Sequence, residues 1–91
     1  MTADQPDSTA LTPISPKRLA KEIERLSAMR RNGELDHAGF DQRFARMVGE
    51  LRERRISGSR EEIQAALASL RTGDTLRPEE WFRLEKQLNL A

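Results

Sequence analysis

Cysteine is absent from the 91 residues, and histidine occurs once. Without thiolates the chain has no disulfide framework, no cysteine-based metal site and no cysteine nucleophile, and one imidazole cannot form a histidine-rich site. Tyrosine is also absent, and the aromatic residues are one tryptophan and three phenylalanines. These absences predict a protein with neither a metal nor a cofactor.

The chain also lacks a large excess of charge of one sign, because 16 Lys and Arg residues are balanced by 15 Asp and Glu residues, which gives a net charge of +1. A chain so close to neutral has no overall field to attract DNA or an anionic membrane. No apolar run approaches the roughly 18 residues of a membrane span, and the N-terminus lacks the basic and apolar regions of a secretory signal. We therefore expect a cytoplasmic protein without a membrane partner. Arginine outnumbers lysine 13 to 3, which indicates GC-rich codons and a bacterial source.

Hydrophobic residues recur with the period of an α-helix in four segments, and no segment alternates as a strand would. We expect helices over about residues 16–32, 37–55, 60–72 and 78–89. Residues 1–14 are rich in Thr, Ser, Pro and Asp, and they predict a disordered leader before a domain at 15–91. The predicted core consists of Leu19, Ile23, Leu26, Leu35, Phe40, Phe44, Met47, Leu51, Ile56, Ile63, Leu67, Leu70, Leu76, Trp81, Leu84 and Leu88.

The four helices form two similar units. The first reads Leu26-x-x-Met29-(x5)-Leu35-(x4)-Phe40, and the second reads Leu67-x-x-Leu70-(x5)-Leu76-(x4)-Trp81. One helical hairpin buries too little apolar surface to fold alone, so two must pack together. The sequence predicts an all-α fold of two tandem antiparallel helical hairpins, at 15–56 and 57–91, in a small four-helix domain.

The turn in each unit resembles the SHOCT module, a short helix-turn-helix found at the C-termini of bacterial proteins. The second unit matches the acidic pair and aromatic residue of that module at Glu79, Glu80 and Trp81. The first unit departs from it, since no acidic pair precedes Phe40. The resemblance implies a role in interaction or oligomerisation, without catalysis.

Candidate catalytic groups do not converge. The side chains of Glu61 and Glu62, like those of Glu79 and Glu80, point about 100° apart on a helix. Both pairs occupy first helical turns, where negative charge is favoured by the helix dipole. The single histidine, His37, has no partner nucleophile or orienting group at a useful spacing. We therefore expect no enzymatic activity.

Our first hypothesis is a non-catalytic protein–protein interaction module, namely an adaptor, an inhibitor, or a small accessory or oligomerisation subunit. Its partner would be another protein or a second copy of the chain. Four apolar residues at the borders of the helical stripes are candidates for the partner surface: Met29, Val48, Phe82 and Leu90. Either the domain covers these residues itself, or they form an exposed apolar patch.

The alternative is a small nucleic-acid-binding regulator that uses arginines of the first two helices. Residues 17–60 contain 12 basic and 7 acidic residues. The candidate phosphate contacts are Arg30, Arg31, Arg52, Arg54 and Arg55. These arginines also fall in the last turns of helices, where they complement the helix dipole, so both interpretations stay open.

Overall fold

The computed structural model describes residues 12–90, and this range contains four α-helices. They are α1 (Pro16–Arg31), α2 (His37–Arg54), α3 (Arg60–Thr72) and α4 (Pro78–Gln87). The predicted all-α fold with four helices is confirmed. Of the predicted disordered leader, residues 1–11 lie outside the described residues.

Side-chain caps explain where the helices begin. The Ser15 hydroxyl accepts the Arg18 amide at 3.1 Å, and the Asp36 carboxylate accepts the Gly39 amide at 2.7 Å. At α3, Ser59 and Glu62 cap each other's backbone amides, which confirms the predicted capping box. The starts of α1 to α4 therefore agree with the sequence, and only the ends of α1, α2 and α4 come one or two residues earlier.

One hydrophobic core joins all four helices, and every predicted core residue contributes to it. Leu35, Ile56 and Trp81 are only partly buried at its rim. At its centre the rings of Phe40 and Phe44 are stacked with their centroids 5.8 Å apart. Burying a large apolar side chain stabilises a fold by about 1.5–3 kcal/mol. Because both hairpins contribute side chains to the same core, each is stabilised by the other and neither needs to fold alone.

Both helices of the first hairpin take part in the packing between the two hairpins. Helix α1 packs against both α2 and α3, and α2 also packs against α4. Each helix of the first hairpin therefore contacts a helix of the second, whereas α3 and α4 do not pack along each other and meet through side chains such as Arg71 and Glu85. The two hairpins form one folded unit instead of two separate docking units.

The folded domain begins before the predicted boundary at residue 15, because Ile14 belongs to the core with 7% of its surface exposed. Its amide donates to the Arg55 carbonyl at 3.0 Å, and its carbonyl accepts the Ser57 amide at 2.8 Å. These bonds make a parallel bridge between Ile14 and Ile56. The assignment of Ile14 to the leader was wrong, since a pairing with the α2–α3 linker leaves no local pattern in the sequence.

Each of the two hairpin turns contains one residue with a positive φ at the same distance before its leucine. Gly33, two residues before Leu35, has a φ of 81°, and Asp74, two residues before Leu76, has a φ of 52°. The nearby Gly73 has a φ of −102° and is the C-cap of α3. The positive φ therefore falls at equivalent positions of the two units, on a glycine in the first and on an aspartate in the second.

Candidate functional site

Arg30 lies inside the domain, which removes it from the candidate nucleic-acid contacts. Its guanidinium forms a bidentate pair with Glu80, with Nη1–Oε2 at 2.9 Å and Nη2–Oε1 at 3.2 Å. The same guanidinium lies 3.6 Å from the centre of the Phe40 ring. The two charged side chains are only 18% and 8% exposed. Arg30 is therefore occupied by protein contacts, and its assignment as a phosphate contact was wrong.

Glu80 is equally occupied. Its Oε1 also accepts the Arg77 amide at 2.8 Å, which caps the start of α4. Burial raises the pKa of Glu80, but the Arg30 hydrogen bond, the Arg77 amide and the charges of both arginines together lower that pKa below its usual value. The carboxylate is thus ionised at neutral pH and bound by donors, which is the state of a structural ion pair.

The four candidate partner residues do not form one exposed patch. Val48 is buried, with 6% of its surface exposed, and Leu90 is half-buried against the core. Met29 is half-buried as well. Phe82 alone among them is well exposed, at 59%, with the Lys86 ammonium 6.0 Å from its ring centre. The proposal that Val48 faces a partner was wrong, because α4 packs against α2 and Val48 joins the core.

The remaining arginines named from the sequence are accessible but divided between two ends of the first hairpin. Arg31, Arg52 and Arg55 are exposed, and Arg54 is half-buried. Arg31 ends α1 beside the hairpin turn, whereas the C-terminus of α2 lies beside Ile14 at the start of α1. These residues therefore do not form a continuous basic surface.

A different set of arginines frames a groove between the first half of α1 and residues 43–54 of α2. The groove has a volume of about 180 Å³. Its floor is apolar and its walls are charged. The floor consists of Ile14, Leu19 and Met47, and the walls consist of Arg18, Glu22, Arg43, Arg46, Glu50 and Arg54. We call this feature the α1–α2 groove.

Helical spacing explains why these side chains converge. Residues three or four apart lie on one face of a helix, so Arg43, Arg46 and Glu50 follow one another along α2. Met47 stands in the same stretch but turns toward the core, where 7% of it is exposed. Clusters of adjacent arginines, such as Arg30 and Arg31, do not reveal this row. The spacing of three and four could have revealed the α2 wall, whereas the α1 wall depends on the fold.

The arginines of the α1–α2 groove lack carboxylate partners within residues 12–90. None of Arg18, Arg43, Arg46 or Arg54 lies within 4.0 Å of a carboxylate oxygen in that range. Four guanidinium groups against two carboxylates make the groove positive. Because a guanidinium binds carboxylate or phosphate through two parallel hydrogen bonds, the walls suit an anionic ligand. The volume lies below the roughly 300–1,000 Å³ typical of small-molecule pockets, so it fits side chains better than a whole cofactor.

Neither a metal cluster nor a membrane span is found in residues 12–90. No three His, Cys, Asp or Glu side chains in this range are grouped to hold a metal ion. None of the helices described is long and apolar enough to cross a membrane. No protein-family model matches the sequence, and neither curated proteins nor solved structures gave a match.

Proposed function

We propose that the chain is a cytoplasmic, non-catalytic protein–protein interaction module, namely an adaptor, an inhibitor, or a small accessory or oligomerisation subunit. The observation that carries this proposal is the α1–α2 groove, where four arginines without partners in residues 12–90 surround an apolar floor. Arginine is enriched at protein interfaces and in their energetic centres. The groove therefore has the chemistry of a binding surface.

The doubled hairpin supports the same function. In the first hairpin Arg30 lies over the Phe40 ring, and in the second Arg71 lies over the Trp81 ring at 4.6 Å from its centre. Each arginine precedes its aromatic residue by the same number of positions, and Arg71 also pairs with Glu85. This shared contact agrees with two copies of one module, and the resemblance to SHOCT hairpins implies an interaction role for such a module.

Affinity capture from cells that naturally express the chain, combined with light scattering of the purified protein, tests this function. Ala68→Asp is the matched control for Leu67→Asp, because Ala68 is exposed while Leu67 is fully buried. We expect the wild type and Ala68→Asp to capture the same partner at a stoichiometric level, or to self-associate, while Leu67→Asp does neither. A monomer that captures no partner reproducibly would contradict the proposal.

Nucleic-acid binding is the second candidate function, and the exposure of Arg31, Arg52 and Arg55 favours it. If it is correct, the chain will bind duplex DNA at low salt, and the affinity will fall steeply as the salt concentration rises. The absence of binding at low salt would eliminate this candidate. Arg30 is no longer part of it, because its guanidinium is bound to Glu80.

A further inference from the structure

We propose that the α1–α2 groove binds a linear, acidic peptide segment of a partner protein. Carboxylates of the segment would bind the guanidinium groups of the walls, and an apolar side chain between them would rest on the floor. This inference deepens the proposed function and rests on it, because it names the surface and the chemistry of the partner.

Charge complementarity is the first reason for an acidic segment. The walls contribute Arg18, Arg43, Arg46 and Arg54 against Glu22 and Glu50, an excess of two positive charges within one small groove. Exposed guanidinium groups lose little by exchanging water for a carboxylate, and the bidentate geometry of that pair gives it direction. A segment with two or more carboxylates would therefore neutralise the groove.

The two carboxylates in the walls favour a polypeptide over a nucleic acid. Glu22 and Glu50 would repel a continuous phosphate backbone laid along the groove, which needs an unbroken basic surface. The same carboxylates can accept hydrogen bonds from the backbone amides or hydroxyl groups of a peptide. Acidic residues of a peptide can also be spaced to avoid Glu22 and Glu50, whereas phosphates cannot.

Rigid packing beneath the groove prepares it for binding. Leu19 is 2% exposed and Met47 is 7% exposed, so both floor residues are held by the core. Ile14 is fixed by its two backbone hydrogen bonds with the α2–α3 linker. The floor is therefore ordered before binding, and the ordering cost on binding is confined to the exposed arginine side chains of the walls.

Selection from a random dodecapeptide library displayed on phage tests this proposal, with the full chain as bait. The peptides that survive selection are then measured by fluorescence polarisation against three proteins. These are the wild type, the groove variant Arg43→Glu/Arg46→Glu, and the control variant Arg31→Glu/Arg52→Glu, which has the same change in charge at exposed sites outside the groove. Arg43→Gln/Arg46→Gln serves as a second groove variant that removes the positive charges without adding negative ones.

We expect the selected peptides to be enriched in Asp and Glu beside one apolar residue. Their affinity should fall about tenfold or more in the groove variant and less than about threefold in the control variant. Circular dichroism spectra and melting curves must show that all variants stay folded. Equal losses in the two variants, or selected peptides without acidic enrichment, would overturn the proposal.

Two further measurements separate the other occupants. If duplex DNA or single-stranded RNA binds the wild type more tightly than the best peptide and the groove variant abolishes that binding, the occupant is a nucleic acid and the proposal fails. If the groove variant converts a dimer seen by light scattering into a monomer, the occupant is a second copy of the chain and the proposal fails. A partner captured from cells equally by wild type and groove variant would leave the interaction function intact while refuting the groove as its site.

Discussion

The ion pair between Arg30 and Glu80 is the contact whose removal tests the packing of the two hairpins most sharply. It joins the end of α1 to the first turn of α4, fifty positions along the chain. Glu80→Gln removes the charge with little change of shape, and the glutamine oxygen can still accept the Arg77 amide. The substitution therefore isolates the ion pair from the helix cap.

Breaking one side of a buried ion pair costs about 3–5 kcal/mol, because the remaining charge stays buried without its partner. Arg30 keeps its position over the Phe40 ring and a contact to the Thr75 carbonyl at 3.5 Å. We therefore expect the lower end, about 3 kcal/mol of lost unfolding free energy. A domain of this size has about 4–12 kcal/mol in total, so the melting temperature should fall by about 12–24 °C.

Urea unfolding followed by circular dichroism measures this loss at pH 7. The control is Glu79→Gln, since Glu79 is the exposed neighbour in the same helical turn. Arg30→Met combined with Glu80→Gln should be more stable than Glu80→Gln alone, because the second substitution removes the buried charge that the first leaves without a partner. If Glu80→Gln lowers the unfolding free energy by less than about 1 kcal/mol, as a substitution of an exposed residue does, the buried pair does not hold the hairpins together.

Three other outcomes follow from the same structure. The pKa of Glu80 is lower in the folded than in the unfolded chain, so its stabilisation is complete above the ordinary value of 4.5 and is lost as the pH falls through the folded value. A pH series of urea titrations should therefore show the deficit of Glu80→Gln shrinking below pH 4.5, and a constant deficit would contradict this. Arg55 has φ 66° and ψ 165°, a backbone conformation that is strained for arginine and favours glycine. Arg55→Gly should therefore raise the unfolding free energy by about 1 kcal/mol without changing the slope of the urea titration. A destabilised variant would show that the backbone at Arg55 is not strained. Phe82 is 59% exposed, so Phe82→Ala should change stability by less than about 0.5 kcal/mol in thermal melts, and a loss above 2 kcal/mol would place its ring in the core.

Local chemistry explains why the helices could be predicted. Side-chain caps at Ser15, Asp36 and Ser59 involve residues only three positions apart, and the apolar stripes repeat within single helices. Short stretches of sequence are therefore sufficient to predict that α1 to α4 are helices and where each begins. The ends of α1, α2 and α4 come one or two residues before the predicted ends.

Contacts between distant parts of the chain could not be predicted in the same way. Ile14 looks like the end of a polar leader until its backbone pairs with Ile56. From the sequence Glu80 looks like an exposed charge at a helix start, but in the structure it is paired with Arg30 of α1. In both cases the deciding partner is more than forty positions away, so the pairing itself has no local signal in the sequence.

The candidate site shows why clusters in sequence differ from clusters in space. Adjacent arginines such as Arg30 and Arg31 point about 100° apart on a helix, so one of them pairs with Glu80 while the other faces solvent. The α1–α2 groove instead collects residues three and four apart on α2 and completes its wall with Arg18 from α1. Only the second arrangement concentrates positive charge on one surface.

Chemical-shift mapping of a selected acidic peptide on the isotopically labelled full chain tests most directly whether the α1–α2 groove is a peptide-binding site. Saturable shifts should concentrate at Arg18, Glu22, Arg43, Arg46 and Glu50, and Arg43→Glu/Arg46→Glu should abolish them. Shifts centred instead on Phe82 or Arg31, or shifts that persist in the groove variant, would contradict the proposal.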